Sequence, residues 1–226
     1  MQLENLQNRL LIEEWNGWLG NFHRYRRKKI KELLIEIGVN KNTTVLELGC
    51  GTSLLGEMFE KDEIPKILAS DISKERIELG KKKYPYINFL VDDALNTKIK
   101  GKFDVIFASE IIEHLKDPYL AVKNWKKLMK PGSYLIITTP NRTWSFSKTE
   151  QAHISLMNIK QVKDILKKLD FKIIKIKGID IFIPFLNRMR FLKKIPSLSN
   201  LIYQTTMRLP YNTPFLARNI IYIARL

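Results

Sequence analysis

The sequence predicts an α/β fold, a doubly wound and mostly parallel sheet of seven strands with helices on both faces. Two observations predict it. Short apolar runs alternate with helical stretches along the chain, which is typical of parallel strands joined by crossover helices. The chain also has 226 residues, of which 45% are hydrophobic, so it can bury the core of one large domain. We therefore expect one main domain with smaller appended segments.

Seven apolar runs are predicted to be the strands. They are 43–49, 66–71, 87–92, 103–109, 133–139, 171–179 and 218–226. The first five are short and largely apolar, as expected of strands covered on both faces. The run at 171–179 alternates in polarity, which indicates a half-buried strand, and a turn is predicted at Pro131-Gly132 between a helix and the fifth strand.

Helices are predicted before and between these strands. Two precede the first strand, at 3–18 and 22–37, and Gly38 is expected to end the second. Another is predicted at 53–61. Three more are marked by capping residues at their starts, which are Ser73, Asp117 followed by Pro118, and Asn158 with Gln161 as a capping box.

The pattern divides the chain into four parts. A helical segment covers 1–38, the main domain covers 39–180, and 218–226 supplies its last strand. Between them, 181–217 is predicted to be a helical insertion that forms a substrate or lid element. It contains no acidic residue and mixes aromatic and aliphatic side chains with arginine and lysine.

Composition bounds the setting of the protein. The single cysteine excludes an internal disulfide and fits a reducing, intracellular compartment. No apolar run approaches the length of a membrane span, and acidic residues interrupt the N-terminal pattern, which argues against a signal peptide. We therefore expect a cytoplasmic protein, with peripheral membrane attachment as an extension of that expectation.

The formal net charge is +16, from 39 basic and 23 acidic residues. Such an excess of positive charge favours an anionic partner, such as a nucleic acid, an anionic membrane or a phosphorylated substrate. A compositional bias toward lysine explains the excess equally well. The 181–217 segment suits an interfacial helix, a lid over an apolar pocket, or an ordinary helical subdomain. Its aliphatic content fits a lipid-like ligand better than RNA.

The first strand ends in a glycine turn, Glu47-Leu48-Gly49-Cys50-Gly51, which leads into a helix. Two glycines at such a turn let the backbone approach a ligand closely. Asp71 ends the second strand, 20 residues beyond Gly51, where a carboxylate can bind a ribose diol. The nicotinamide-dinucleotide fingerprint requires a third glycine at position 54, which is leucine here, so a dehydrogenase is disfavoured.

Five motifs follow one another in order from about residue 43 to 142. They are VLELGCGTS, ASDIS, VDDALN, FDVIFASEIIEHLKDP and LMKPGSYLIITTPNR. Together they resemble the successive motifs of class I S-adenosylmethionine-dependent methyltransferases, which implies the Rossmann-like methyltransferase fold and S-adenosyl-L-methionine as cofactor. EIIEHLKDP and the segment that follows it are similar to sequences of the branch that contains the ubiquinone-biosynthesis O-methyltransferases.

The resemblance assigns cofactor-binding roles to residues at the strand ends. Those expected at the methionine end are Glu47, Gly49, Cys50 and Gly51, with Ser109 and Glu110 beneath the reactive methyl group. Asp71 is expected to hold the ribose and Ile72 to lie against the adenine. The adenine edge is assigned to Asp93 and Ala94, with Asp92 as the competing acid. Alternatives are a helix cap for Asp71 and a packed small side chain for Cys50.

Transfer to an oxygen also calls for a base, and the chain has only three histidines. His114 follows the fourth strand and His153 follows the fifth, so both are candidate catalytic residues. His23, in the basic N-terminal helix, is expected to be a surface residue. For both candidates a structural histidine remains the alternative.

Spacing in the segment after the fourth strand also permits a metal. Glu110, Glu113 and His114 stand at positions i, i+3 and i+4, which share one side of a helix, and His153 offers a fourth ligand. No metal is assigned on spacing alone, because the same residues serve where no metal is needed.

We therefore predict a methyltransferase that acts on an oxygen, in preference to nitrogen or carbon, of a small-molecule or lipid-like acceptor. One alternative is an RNA methyltransferase with a metal at Glu110, Glu113 and His114, since RNA 3′-end methyltransferases use related arrangements. Another is a cofactor-binding scaffold without catalysis. The sequence leaves the acceptor and the oligomeric state open.

Overall fold

The structure, a computed structural model, describes residues 18–143, 153–179 and 213–226. Seven strands form one sheet in these residues. They are β1 (Thr44–Leu48), β2 (Lys66–Asp71), β3 (Asn88–Val91), β4 (Phe103–Ser109), β5 (Met129–Pro140), β6 (Lys172–Gly178) and β7 (Asn219–Arg225). The predicted helix at 3–18 and most of the 181–217 insertion lie outside the described residues, so both stay predictions.

The strands are ordered β3-β2-β1-β4-β5-β7-β6, and β7 runs antiparallel to both of its neighbours. The predicted seven-stranded, mostly parallel sheet is therefore confirmed. The chain builds outward from β1 in one direction and from β4 in the other. Ligands in such sheets bind where the strand order reverses, at the carboxyl ends of the strands, which here is the edge between β1 and β4.

Helices cover both faces of the sheet. They are α1 (Trp18–Glu36), α2 (Leu54–Met58), α3 (Lys74–Lys83), α4 (Pro118–Lys126) and α5 (Ile159–Lys168), with short 3₁₀ helices at Ile112–His114 and Pro214–Leu216. The first three bury residues such as Ile30 and Ile77 on one face. The last two pack Trp125 and Leu166 on the other face, so that the sheet separates two apolar cores.

The predicted capping residues act as expected. Ser73 and Asp117 each accept a backbone N–H bond in the first turn of their helix. Asn158 and Gln161 form both halves of a capping box, at 3.0 Å each. Gly38, two residues beyond the end of α1, has a φ of +92°, which only glycine adopts readily.

Three local predictions differ from the structure. Helix α1 is already helical at Trp18, so its predicted start at residue 22 is wrong. Helix α2 ends at Met58 rather than at residue 61. The Pro131-Gly132 turn lies inside β5, where the pairing with β4 shifts from Phe103–Met129 to Val105–Tyr134. Turn-forming residues there produce a bulge within one strand instead of separating two elements. Within the described residues, no helix combines the length and the apolar character needed to cross a bilayer.

Candidate active site

The glycine turn after β1 lies at the point where the strand order reverses. Gly49 and Gly51 have φ values of +61° and +57°, in the left-handed region that glycine tolerates best. A Cβ on Gly49 would lie 2.6 Å from Cγ1 of Ile111, whereas a Cβ on Gly51 would meet no atom within 4 Å. Gly49 is therefore required for close packing, and Gly51 faces open space that a ligand can use.

Asp71 ties the glycine turn to the end of β2. One carboxylate oxygen accepts the Gly51 N–H at 2.8 Å, and the other accepts the Ser73 N–H at 2.9 Å. The side chain is buried, yet the residue lines the cavity described next. Each oxygen retains a second lone pair for a ligand hydroxyl. Asp71 thus combines the predicted ribose-binding position with a structural role in the turn.

A cavity of about 430 Å³ opens along the carboxyl ends of β1, β2 and β3. Its volume falls in the range of small-molecule sites. The lining residues predicted from the sequence are Gly49, Asp71, Ile72, Asp92, Asp93, Ala94 and His114. Ile72 is 72% exposed, so its apolar side chain is open to a flat ligand. The structure therefore brings the predicted adenosine-binding residues together around one space.

The two acids after β3 differ in how their oxygens are used. Both oxygens of Asp93 accept bonds, from the Leu95 N–H at 2.9 Å and the Asn96 amide at 3.2 Å. One oxygen of Asp92 accepts the Lys98 N–H, and the other, Oδ2, is buried without a partner. A buried acceptor with no donor is costly. Asp92 is therefore the better placed of the two to accept a bond from an adenine amino group.

Glu47 does not line the cavity. Its carboxylate accepts bonds from the Ser53 hydroxyl at 2.6 Å and from the backbone N–H groups of Leu54 and Leu55. The side chain is fully buried at the start of α2, and this burial raises the pKa of Glu47 to about 7, against the lowering effect of the three hydrogen bonds. Glu47 was expected to line the methionine end of the cofactor site. In the structure it instead lies beneath the glycine turn, where it binds the first turn of α2.

Cys50 also lies away from the cavity. Its side chain packs in the apolar core with residues such as Val45 and Leu55, and the thiol lies 3.4 Å from the carbonyl oxygen of Gly51. Burial raises the pKa of Cys50 far above its usual range. The thiol is therefore a packed small group, the alternative that the sequence left open, and not a residue of the cavity wall.

Ser109 and Glu110 belong to a polar network beside the cavity. Glu110 has a φ of +51° and forms an ion pair with Arg26 of α1, at 2.7 Å between Nη2 and Oε1. The Thr138 hydroxyl lies 2.9 Å from Oε1 of Glu110 and 2.8 Å from the Ser109 hydroxyl. Neither predicted residue lines the cavity directly. A left-handed φ at a non-glycine residue costs about 1–2 kcal/mol, so the network holds a strained segment in place.

The two candidate bases meet at the edge of the cavity. The ring centroids of His114 and His153 lie 4.8 Å apart, and Glu113 stands beside them. Ligand atoms of all three residues lie within 4.8 Å of one another. Glu113 is completely buried and accepts one bond from Thr139, while its Oε1 has no partner. Burial, together with the charge of Glu110, raises the pKa of Glu113 well above its usual range.

This cluster differs from the predicted metal-ligand set. Glu110 turns toward Arg26, because residues 112–114 form a single 3₁₀ turn rather than a longer α-helix. The three residues that converge are Glu113, His114 and His153, so His153 replaces Glu110 in the set.

Sequence reasoning missed Arg26 and Ile111. Arg26 lies in the basic N-terminal helix, yet its side chain is only 13% exposed. Its spacing of four residues before buried Ile30 was the available signal, since residues at i and i+4 share one helix face. Ile111 lines the cavity through its contact with Gly49, and no sequence pattern marks it.

The geometry fits S-adenosylmethionine. The turn leaves open space at Gly51, the cavity has a suitable volume, and Asp92 offers an orphaned buried oxygen. The residues that would hold the nucleoside are Asp71, Ile72, Asp92 and Ala94. The methionine part would approach the turn at Gly49 and Gly51.

Comparison with known proteins agrees with this site. A family model described as a methyltransferase domain matches residues 22–176. The ubiquinone biosynthesis O-methyltransferase of Pelagibacter ubique is 34% identical over 150 residues, which are 59% of this chain and 62% of that protein. The chain therefore spans less than two thirds of the length of this relative.

Solved structures show the same fold. A SAM-dependent methyltransferase from Archaeoglobus fulgidus matches with a TM-score of 0.62 at 22% identity, covering 96% of this chain and 99% of that one. The N-methyltransferase NodS from Bradyrhizobium japonicum, in complex with S-adenosyl-L-homocysteine, matches with a TM-score of 0.63 at 15% identity, covering 90% and 87%. The family model covers more than half of the sequence, and the chain accordingly belongs to the methyltransferase domain family as a class I S-adenosylmethionine-dependent methyltransferase.

Proposed function

We propose that this chain transfers a methyl group from S-adenosylmethionine to an oxygen of a small-molecule or lipid-like acceptor. The observation that carries the proposal is the pair of imidazoles, His114 and His153, at the edge of the cofactor cavity. The name of the Pelagibacter relative, an O-methyltransferase of ubiquinone biosynthesis, supports an oxygen acceptor. A hydroxylated aromatic ring with an apolar tail is accordingly the first acceptor class to test.

When bound, the cofactor supplies a methyl group that its sulfonium charge already activates. The protein then has to align the acceptor oxygen, exclude water and remove the proton of the hydroxyl. His114 lines the cavity and is exposed, and the ring of partly buried His153 lies against it. A neutral imidazole of this pair accepts the acceptor's proton, and Glu113 lies within 4.8 Å of both histidines.

A second candidate, deprotonation assisted by a divalent metal, is favoured by one observation. Glu113 has a buried oxygen without a partner, and a carboxylate oxygen of Glu113 lies within 4.8 Å of a ring nitrogen of each histidine. A carboxylate and two imidazoles are a normal ligand set for zinc, whose bonds of about 2.0–2.2 Å require the three groups to draw together. Glu113, His114 and His153 would hold such a metal, which would supply Lewis-acid activation of the acceptor hydroxyl, and the histidines would then be ligands rather than bases.

The lipid-like character of the acceptor is proposed from the 181–217 segment and the net charge of +16. Apolar and basic residues interleave in this segment as they do in helices that lie on anionic membranes. We place the enzyme in the cytoplasm, with peripheral contact to such a membrane. If the protein does not bind such membranes, the acceptor is instead a soluble small molecule or RNA.

The test compares His153→Ala with His23→Ala, an exposed histidine on α1. Each variant is assayed with labelled cofactor against a panel of hydroxylated aromatic acceptors and amines, and S-adenosylhomocysteine affinity is measured by calorimetry. We expect His153→Ala to lower kcat about 10²–10⁴-fold with unchanged cofactor affinity, because a general base acts on the chemical step. His23→Ala should leave both quantities unchanged.

Unchanged turnover in His153→Ala would remove this residue as the base. Methylation of amines alone would contradict an oxygen acceptor. Loss of activity after chelation, restored by added zinc or magnesium, would favour the metal-assisted mechanism over the imidazole base.

A further inference from the structure

Arg26 joins the N-terminal helix to the segment that follows β4. Its Nη2 lies 2.7 Å from Oε1 of Glu110 and donates to the Thr138 hydroxyl at 3.2 Å. The guanidinium is largely buried at this point, so the ion pair is only weakly screened by solvent. The proposed transfer of the methyl group assigns no role to this contact.

Thr138 fixes the direction of every bond in the network. Its single hydroxyl proton goes to Oε1 of Glu110, at 2.9 Å. Its two lone pairs accept from Arg26 and from the Ser109 hydroxyl, the latter at 2.8 Å. A hydroxyl has one donor and two acceptor positions, so all three are filled. The three bonds of Thr138 hold Ser109, Glu110 and Arg26 in one arrangement, although Nε of Arg26 is buried without a partner.

Glu110 passes this restraint to the backbone. Its φ of +51° is unfavourable for a side-chain-bearing residue, and its N–H donates to the Thr138 carbonyl at 2.9 Å. The next residue, Ile111, lines the cofactor cavity and packs so closely on Gly49 that no Cβ fits there. The position of Ile111 therefore depends on the unusual backbone conformation of Glu110.

We propose that Arg26 is a positioning residue, which holds Glu110 in its left-handed conformation and so fixes the Ile111 wall of the cofactor cavity. Docking of α1 and affinity for the cofactor are then coupled. The positioning role of Arg26 concerns cofactor binding and not the acceptor. It can therefore be tested independently of the proposal that the acceptor atom is oxygen.

The test is a double-mutant cycle on the full chain, read out as the calorimetric affinity for S-adenosylhomocysteine. Arg26→Gln and Glu110→Gln should each weaken binding about 10-fold or more, as expected for a lost charged hydrogen bond. The double variant should bind no more weakly than the poorer single variant, because both changes break the same contact. Arg27→Gln, which affects the Arg27–Glu57 pair instead, is the matched control and should bind as the parent does.

Two results would overturn the proposal. Additive losses in the double variant would mean that Arg26 and Glu110 act independently, for example by touching the cofactor themselves. A lower melting temperature of Arg26→Gln with unchanged affinity would show that the contact stabilises the fold but does not affect cofactor binding. Arg26→Lys keeps the positive charge but not the planar guanidinium, so its affinity for S-adenosylhomocysteine should lie between those of the parent and Arg26→Gln. If Arg26→Gln does not fold, Arg26→Lys takes its place in the double-mutant cycle.

Discussion

Glu47 shows how a single buried acid supports the site without touching its ligand. Its carboxylate receives three hydrogen bonds from Ser53, Leu54 and Leu55, at the beginning of α2. These bonds hold the end of the glycine turn against the first turn of the helix. Burial nevertheless raises the pKa of Glu47 from 4.5 to about 7, so in the folded protein the carboxylate is mostly ionised only above neutral pH.

This shift predicts a pH-dependent stability. Between pH 4.5 and 7 the folded protein keeps the proton of Glu47 while the unfolded chain loses it, so the free energy of unfolding falls as pH rises. Glu47→Gln removes that contribution. Relative to the parent, the variant should gain up to about 3 kcal/mol between pH 4.5 and 8, measured by urea unfolding at several pH values.

The matched control is Glu60→Gln, which changes an exposed acid after α2. Its unfolding free energy should follow the parent's pH dependence. If the Glu47→Gln curve also ran parallel to that of the parent, the buried carboxyl would not be the source of the dependence.

The candidate site could be predicted from the sequence where backbone and chain position decide the role. Gly49, Asp71 and Ala94 were located because glycine turns and strand ends have fixed places in a parallel sheet. Cys50 and Arg26 were not, since the direction of a side chain depends on packing against distant residues. A sequence shows that Arg26 is basic, but only the fold brings it to Glu110, 84 positions further along the chain.

Helix starts that a capping residue marks are the most reliable element-level predictions, because a cap depends on residues within one turn. Ser73, Asp117 and Asn158 were each identified from local sequence and each caps its helix. The limits of β5 could not be found in this way. Pairing with β4 is present at Met129 and resumes at Tyr134 beyond Pro131-Gly132, and these pairing partners are far away in sequence.

The capping box of α5 gives a prediction at this scale. Asn158→Ala removes the acceptor of the Gln161 N–H and should lower the free energy of unfolding by about 1 kcal/mol. Denaturant unfolding at constant pH measures this loss. Asn158→Asp keeps an acceptor in the same place and should retain most of the stability. Equal losses in both variants would show that the cap contributes little.

The charge of the whole molecule leads to a prediction about its surroundings. With a net charge of +16, the chain should float with anionic vesicles at low salt and be released at moderate salt, where screening shortens the range of attraction. Neutral vesicles should not bind it. Flotation with and without structured RNA as a competitor measures the preference.

Two charge variants locate the contact. Changing Arg188, Arg190, Lys193 and Lys194 to glutamine should abolish flotation if the 181–217 segment supplies it. Changing Lys81, Lys82 and Lys83 at the end of α3 removes a similar charge elsewhere and should weaken binding only slightly. Binding to neither lipid nor RNA would leave the excess charge as a feature of composition.

The place of β7 in the sheet has a consequence for the order of assembly. β7 lies between β5 and β6, and among the described strands it is the only one with which β6 pairs. During synthesis, β6 leaves the ribosome well before the strand that must separate it from β5. A nascent chain that stops before Asn219 can therefore pair only the first five strands. β6 must wait for partners that lie much later in the chain, since Gly178 pairs with Ile220 and Lys172 with Arg225.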